Sequence, residues 1–144
     1  MIAQASSLIR GARFMYEAVT NGVRVRVTPN YVEEQSSPDE GYFFWSYTVV
    51  IVNEGPVTVQ LKSRQWLITD ANGRKETVRG PGVVGQTPVI PPGQSFTYTS
   101  GCPLSTSSGI MTGSYQMQLP DGSLMNVTIP GFSLDSPFGR RSVN

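Results

Sequence analysis

Val23, Val25 and Val27 alternate with Arg24, Arg26 and Thr28. A two-residue period of this kind predicts a strand with one buried face, and Pro29 predicts its end. The polar, acidic run 33–41 (EEQSSPDEG) predicts a loop. Tyr42 to Asn53 gives the strongest strand signal. One parity carries Phe43, Trp45, Tyr47, Val49 and Ile51, bulkier than the other, and is the expected core face. After a turn at Asn53-Glu54-Gly55, residues 57–69 read as another strand. Asp70-Ala71-Asn72-Gly73 reads as a hairpin turn, with a polar edge strand returning over 74–79. Residues 80–93 hold four glycines and four prolines, which predicts neither a central strand nor a helix interior. Phe96, Tyr98 and Ser100 then alternate, and a last hairpin pairs 110–118 with 124–130 across Pro120-Asp121-Gly122.

The termini lack this periodicity. Residues 1–16 read as a partly ordered extension, the last ten as a loose tail, and the expected division is an extension (1–16), one domain (17–138) and a flexible tail (139–144). Short strands with turn signals at close intervals, and no amphipathic helix pattern, predict an all-β sandwich of two antiparallel sheets with seven or eight strands. A closed barrel is the alternative that periodicity does not separate from it.

Composition supports strands: Val, Ile and Thr number 35 against 5 Ala. The 144 residues suffice for one domain without staples, and the net charge of +1 argues against a general nucleic-acid or membrane-surface binder. No apolar run approaches the length of a membrane span, and no secretory signal pattern opens the chain. The single cysteine, Cys102, has no internal disulfide partner, so a cytoplasmic setting is expected. The absence of histidine removes the usual neutral-pH base, the commonest metal ligand, and the Ser-His and Cys-His nucleophile pairs. Accordingly no catalytic residue, metal ligand or cofactor is expected.

Two groups of residues remain as candidate sites. Gly80-Pro81-Gly82-Val83-Val84-Gly85 is a literal G-x-G-x-x-G. In dinucleotide-binding proteins the motif opens a helix, which Pro88, Pro91 and Pro92 forbid here. The surviving functional reading is an anion nest at Gly80, Gly82 and Gly85, with Arg79 or Lys75 as counter-charge for phosphate or pyrophosphate. The competing reading gives the glycines a purely structural role in a bent crossover. Lys62, Arg64 and Trp66 alternate along their strand and form a candidate recognition surface, although an exposed sheet face commonly carries such residues. Cys102 has no identifiable activating neighbour and is expected to be a small buried or semi-buried residue. Glu33, Glu34, Asp39 and Glu40 lack the ligand spacing of a calcium loop. The Asn126-Val127-Thr128 sequon falls in an expected strand.

Over about residues 19–138 the chain resembles the ApaG family of small bacterial proteins. The resemblance is carried by Gly22-Val23-Arg24-Val25, Phe44-Trp45-Ser46-Tyr47, Ser63-Arg64-Gln65-Trp66 and Ile68-Thr69-Asp70-Ala71-Asn72-Gly73. It continues through Gly80-Pro81-Gly82-Val83-Val84-Gly85, Pro92-Gly93, Phe96-Thr97-Tyr98-Thr99-Ser100-Gly101, Gly109-Ile110-Met111-Thr112-Gly113-Ser114-Tyr115 and Ile129-Pro130-Gly131-Phe132-Ser133-Leu134. The chain departs from the family pattern at Gln65, where histidine is usual, at Gln86, where glutamate is usual, and at Ser107, where proline is usual. The resemblance implies an immunoglobulin/fibronectin type III-like sandwich and an association with cobalt and magnesium resistance, without a settled enzymatic activity. The same domain in some eukaryotic F-box proteins and in a polymerase-interacting protein implies an interaction module. The expected function is therefore non-enzymatic binding of an as yet unidentified protein partner, with no nucleic acid and an unknown oligomeric state. The alternative is capture of a phosphorylated small molecule or pyrophosphate at the Gly80–Gly85 loop.

Overall fold

The computed structural model describes residues 15–138. Nine strands follow in order: β1 (Tyr16–Thr20), β2 (Val23–Tyr31), β3 (Phe43–Asn53), β4 (Val59–Asp70), β5 (Lys75–Pro81), β6 (Val89–Ile90), β7 (Ser95–Leu104), β8 (Ser108–Gln118) and β9 (Leu124–Asp135). One antiparallel sheet has the order β1-β2-β3-β7; the other runs β5-β4-β8-β9, with β6 paired to β4. Every strand pair lies within one sheet or the other, so the architecture is a sandwich rather than a barrel.

The alternation read from β2 and β3 sets the core. Val23, Val25, Val27, Phe43, Trp45, Tyr47, Val49 and Ile51 are all buried, as the bulkier parity predicts. They face Leu61, Trp66, Tyr115, Met117, Phe132 and Leu134 of the second sheet. On one lateral side the sheets close where β9 packs against β1 and β2, and the Thr128 amide donates to Thr20 Oγ1 at 3.1 Å. On the opposite side stand the edge strands β7 and β5, farther apart than β1 and β9.

Three expectations are corrected. The extension assigned to residues 1–16 ends too late, because Tyr16 opens β1; residues 1–14 lie outside the described part. Pro29 does not end β2. It pairs with Tyr47 at a position where the ladder needs no N–H from it, and the strand runs on to Tyr31. In keeping with its reading as neither central strand nor helix interior, the glycine- and proline-rich 80–93 stretch contributes only the end of β5 and the two-residue β6, both at the sheet edge, where missing donors are tolerated. The loose tail begins later than the last ten residues. Asp135 closes β9, the Ser136 hydroxyl donates to the Ser107 carbonyl at 2.6 Å, and the rings of Phe138 and Phe43 lie 6.4 Å apart. Residues 139–144, read from the sequence as a flexible tail, lie outside the described part.

The acidic segment folds as two short 3-10 turns, Glu33–Gln35 and Pro38–Glu40. Among the described residues no group of three or more His, Cys, Asp or Glu is placed to hold a metal ion.

Candidate functional site

A bulge builds the site. Leu61 pairs with Met117 and Ser63 with Gln116, leaving Lys62 as the extra residue of β4. Before the bulge Val59 and Leu61 point inward; after it the inward parity switches to Arg64 and Trp66. The expected Lys62, Arg64 and Trp66 stripe is thereby corrected. Lys62 is exposed and Trp66 is 3% exposed, so they share no surface.

Arg64 pairs with Gly80 of β5, and its guanidinium lies over that glycine. A Cβ at Gly80 would stand only 3.0–3.2 Å from the guanidinium atoms. Nη1 donates to the carbonyls of Pro81 and Gly82 at 3.0 and 2.9 Å. Beyond it the chain reverses tightly, Val83 and Gln86 exchanging backbone hydrogen bonds of 2.8 and 2.9 Å. Gly82 (φ 59°) is required there, because a Cβ would come within 2.2 Å of the Gln86 carbonyl oxygen.

The motif's glycines thus shape a turn between strands, and the amides of Gly82, Val83 and Gln86 already donate to protein carbonyls. Those are donors that an anion nest would need. The two cations proposed beside the loop are not brought together. Arg79 pairs with Gln65 and reaches the outer face of the sheet. Lys75 pairs with Thr69, five residues from Gly80 and roughly 17 Å away along the strand.

Two concavities meet at Arg64. One is an outer groove of about 420 Å³, where Lys62, Arg64 and Arg79 approach Ser63, Gln116 and Asn126 and no carboxylate lines the wall. The other, about 270 Å³, is a mouth between the sheets on the open side, bounded by Arg64, Trp66, Tyr47, Tyr98, Ser100 and the Val83–Gly85 turn. Sequence reasoning missed this mouth. Its tyrosines read only as strand residues, and nothing in the local pattern signals the bulge that brings Arg64 to them.

Burial is the dominant influence on the phenols. It raises the pKa of Tyr47, Tyr98 and Tyr115, with Ser100 hydrogen-bonded to Tyr47 and Arg64 opposing the rise. The hydroxyls of Tyr98 and Tyr115 bond each other across the sheets. Cys102, on the same inward face of β7, is buried, and burial pushes its thiol up to about 11. The mouth is therefore lined by hydroxyl and guanidinium groups, chemically suited to donate to an acceptor or anion.

These shifts carry a sign. The folded state keeps protons on Cys102 and the three tyrosines that an unfolded chain releases in alkali. Their contribution is complete below about pH 9 and declines as pH rises toward the folded-state values. Urea midpoints measured from neutral pH upward should hold steady to about pH 9 and then fall. A flat profile through pH 11 would contradict this burial.

Comparisons with known proteins give the same fold. A family model described as "ApaG domain" matches residues 33–119. The chain is 57% identical to "Protein ApaG" of Bradyrhizobium sp. strain ORS 278 over 130 residues, covering 90% of this chain and all of that protein. It is 58% identical to "Protein ApaG" of Brucella anthropi over the same length and coverage. The crystal structure of the putative ApaA protein from Bordetella pertussis superposes with a TM-score of 0.78 at 47% identity, covering 80% of this chain and 94% of that one. With the sandwich in place and relatives matched along almost its whole length, the chain belongs to the ApaG family.

Proposed function

We propose that the chain is a non-enzymatic recognition module that binds a partner protein in the cytoplasm. Val84 carries this reading. It sits at φ 42° at the tip of the Val83–Gln86 turn, with its apolar side chain 52% exposed. A β-branched residue in the left-handed region is strained by about 1–3 kcal/mol, and strain of this kind clusters at functional sites. Asparagine fits that backbone and would relieve it. The mouth beside the turn supports the same reading, since burial holds the hydroxyls of Tyr47 and Tyr98 protonated and gives them no part as bases near neutral pH. Among the described residues no helix is long and apolar enough to cross a membrane. An association with cobalt or magnesium, which family resemblance implies, would then run through the partner rather than through a metal held by this chain.

A Val84→Asn chain should be at least as stable as the parent yet lose its partner. Quantitative affinity capture with both chains as bait, alongside their melting temperatures, tests this. Identical captured sets would overturn the reading.

A second reading, capture of a phosphorylated ligand, is favoured by charge segregation. Arg24 and Arg26 are paired with Glu17 and Glu54, whereas Lys62, Arg64 and Arg79 share a groove without a carboxylate. Adding pyrophosphate to the melting series separates the two readings. A rise that Arg79→Ala abolishes would move the function to the outer groove.

A further inference from the structure

We propose that the open edge of β7 takes up an extended peptide as an added strand, and that an acidic side chain of this peptide enters the mouth beside Arg64. The inference rests on the interaction-module reading and supplies its binding edge and ligand chemistry.

The register of β7 shows which groups are available. Pro103 pairs with Phe44 and has no N–H, so that pair is not hydrogen-bonded. In agreement, the Phe44 carbonyl accepts on its other side, from the Val32 amide at 2.9 Å. Alternate residues share this phase. Tyr98, Ser100 and Cys102 bond β3, while Thr97, Thr99 and Gly101 turn N–H and C=O toward the open edge.

The two edges on this side of the sandwich differ. β5 carries Lys75, Glu76, Arg79 and Pro81, residue types that discourage strand pairing. β7 has no charged residue from Ser95 to Leu104, and its one proline lies near the end. It is the unguarded edge, suited to strand addition.

The same register decides what the incoming strand should carry. Side chains alternate across a sheet, so inward residues of an added strand fall in line with Tyr98 and Ser100. Both line the inter-sheet mouth, which Arg64 also lines, its guanidinium held over Gly80 at the Pro81 and Gly82 carbonyls. Among the described residues that guanidinium bonds only two carbonyls and joins no ion pair. A carboxylate there would gain a charge-assisted hydrogen bond within a partly desolvated gap. Glu76 stands farther along, close enough to Cys102 to act on its thiol. The acidic position of the peptide is therefore directed toward Tyr98 and Ser100 and away from Cys102.

The test selects a phage-displayed library of random peptides of about ten residues, the length of β7, on the full chain. Selected peptides should share an Asp or Glu among β-branched residues. Synthetic copies should slow amide exchange at Thr97, Thr99 and Gly101, and replacing their acid by the matching amide should weaken binding about tenfold. Thr97→Pro removes an outward N–H and leaves the β3 ladder intact; it should weaken binding about tenfold at an unchanged melting temperature. Backbone N-methylation of the peptide supplies the same test without altering the protein. Failure to select any peptide, or binders without an acidic position, would overturn the proposal. So would protection confined to the Val84 turn or the outer groove, which would leave the module reading intact. A concentration-dependent dimer protecting the same three amides would assign the edge to a second copy instead.

Discussion

Trp66→Ala should lower stability by about 3–5 kcal/mol, a large part of what holds a domain of this size together. The indole stands edge-on to Tyr47 at 5.4 Å and to Phe132 at 5.9 Å. Tyr47 and Phe132 themselves lie 5.8 Å apart, so Trp66 completes a three-ring cluster that ties the two sheets together. Removing it forfeits buried apolar area and leaves a cavity that rigid strands on both sides cannot collapse to fill. Trp66→Phe keeps a ring in contact and should lose about half as much or less. Urea denaturation followed through Trp45, the other tryptophan of the chain, gives both values. A loss below about 1 kcal/mol would return Trp66 to the surface and restore the recognition stripe.

Asn53→Ala should cost about 2–4 kcal/mol for a different reason. Asn53 is 1% exposed, and its carboxamide ties the turn at 53–57 to β6. Nδ2 donates to the carbonyls of Val57 and Ile90, each at 2.8 Å, and Oδ1 accepts from the Gly55 amide at 3.0 Å. Truncation leaves three backbone groups without their partner, and the Ile90 carbonyl, the buried one, carries the largest desolvation penalty. Asn53→Leu refills the volume but supplies no donor or acceptor. If hydrogen bonding is the cause, denaturant midpoints for the two variants should fall together. Recovery in Asn53→Leu would show that packing alone matters there.

Legibility along the chain follows how local each cause is. The parity of Phe43, Trp45 and Tyr47 could be read directly, because a strand with one buried face writes its alternation into its own residues. The turn at Asn21 and Gly22, with φ of 47° and 84°, carried a readable hairpin signal that the sequence reading passed over, and β1 was missed with it. Pro29 was misread because its effect depends on which residue of β3 lies opposite. For Lys62, Arg64 and Trp66, sequence spacing assigned one face and the bulge at Lys62 reversed it.

The sequence by itself determined an all-β chain, its principal core face and, through the motifs that match, its ApaG family. It also withheld imidazole from every possible site, and its prolines prevented the glycine motif from opening a helix. Only the tertiary structure decided that the motif's glycines make room for Arg64 and reverse the chain, that Arg64 meets three buried phenols, and that β7 is left with a free edge. The division has one physical reason. Alternation and turn chemistry act between neighbours in the chain, whereas a bulge, a sheet edge and an inter-sheet mouth are relations between strands, set by pairing that no local pattern records.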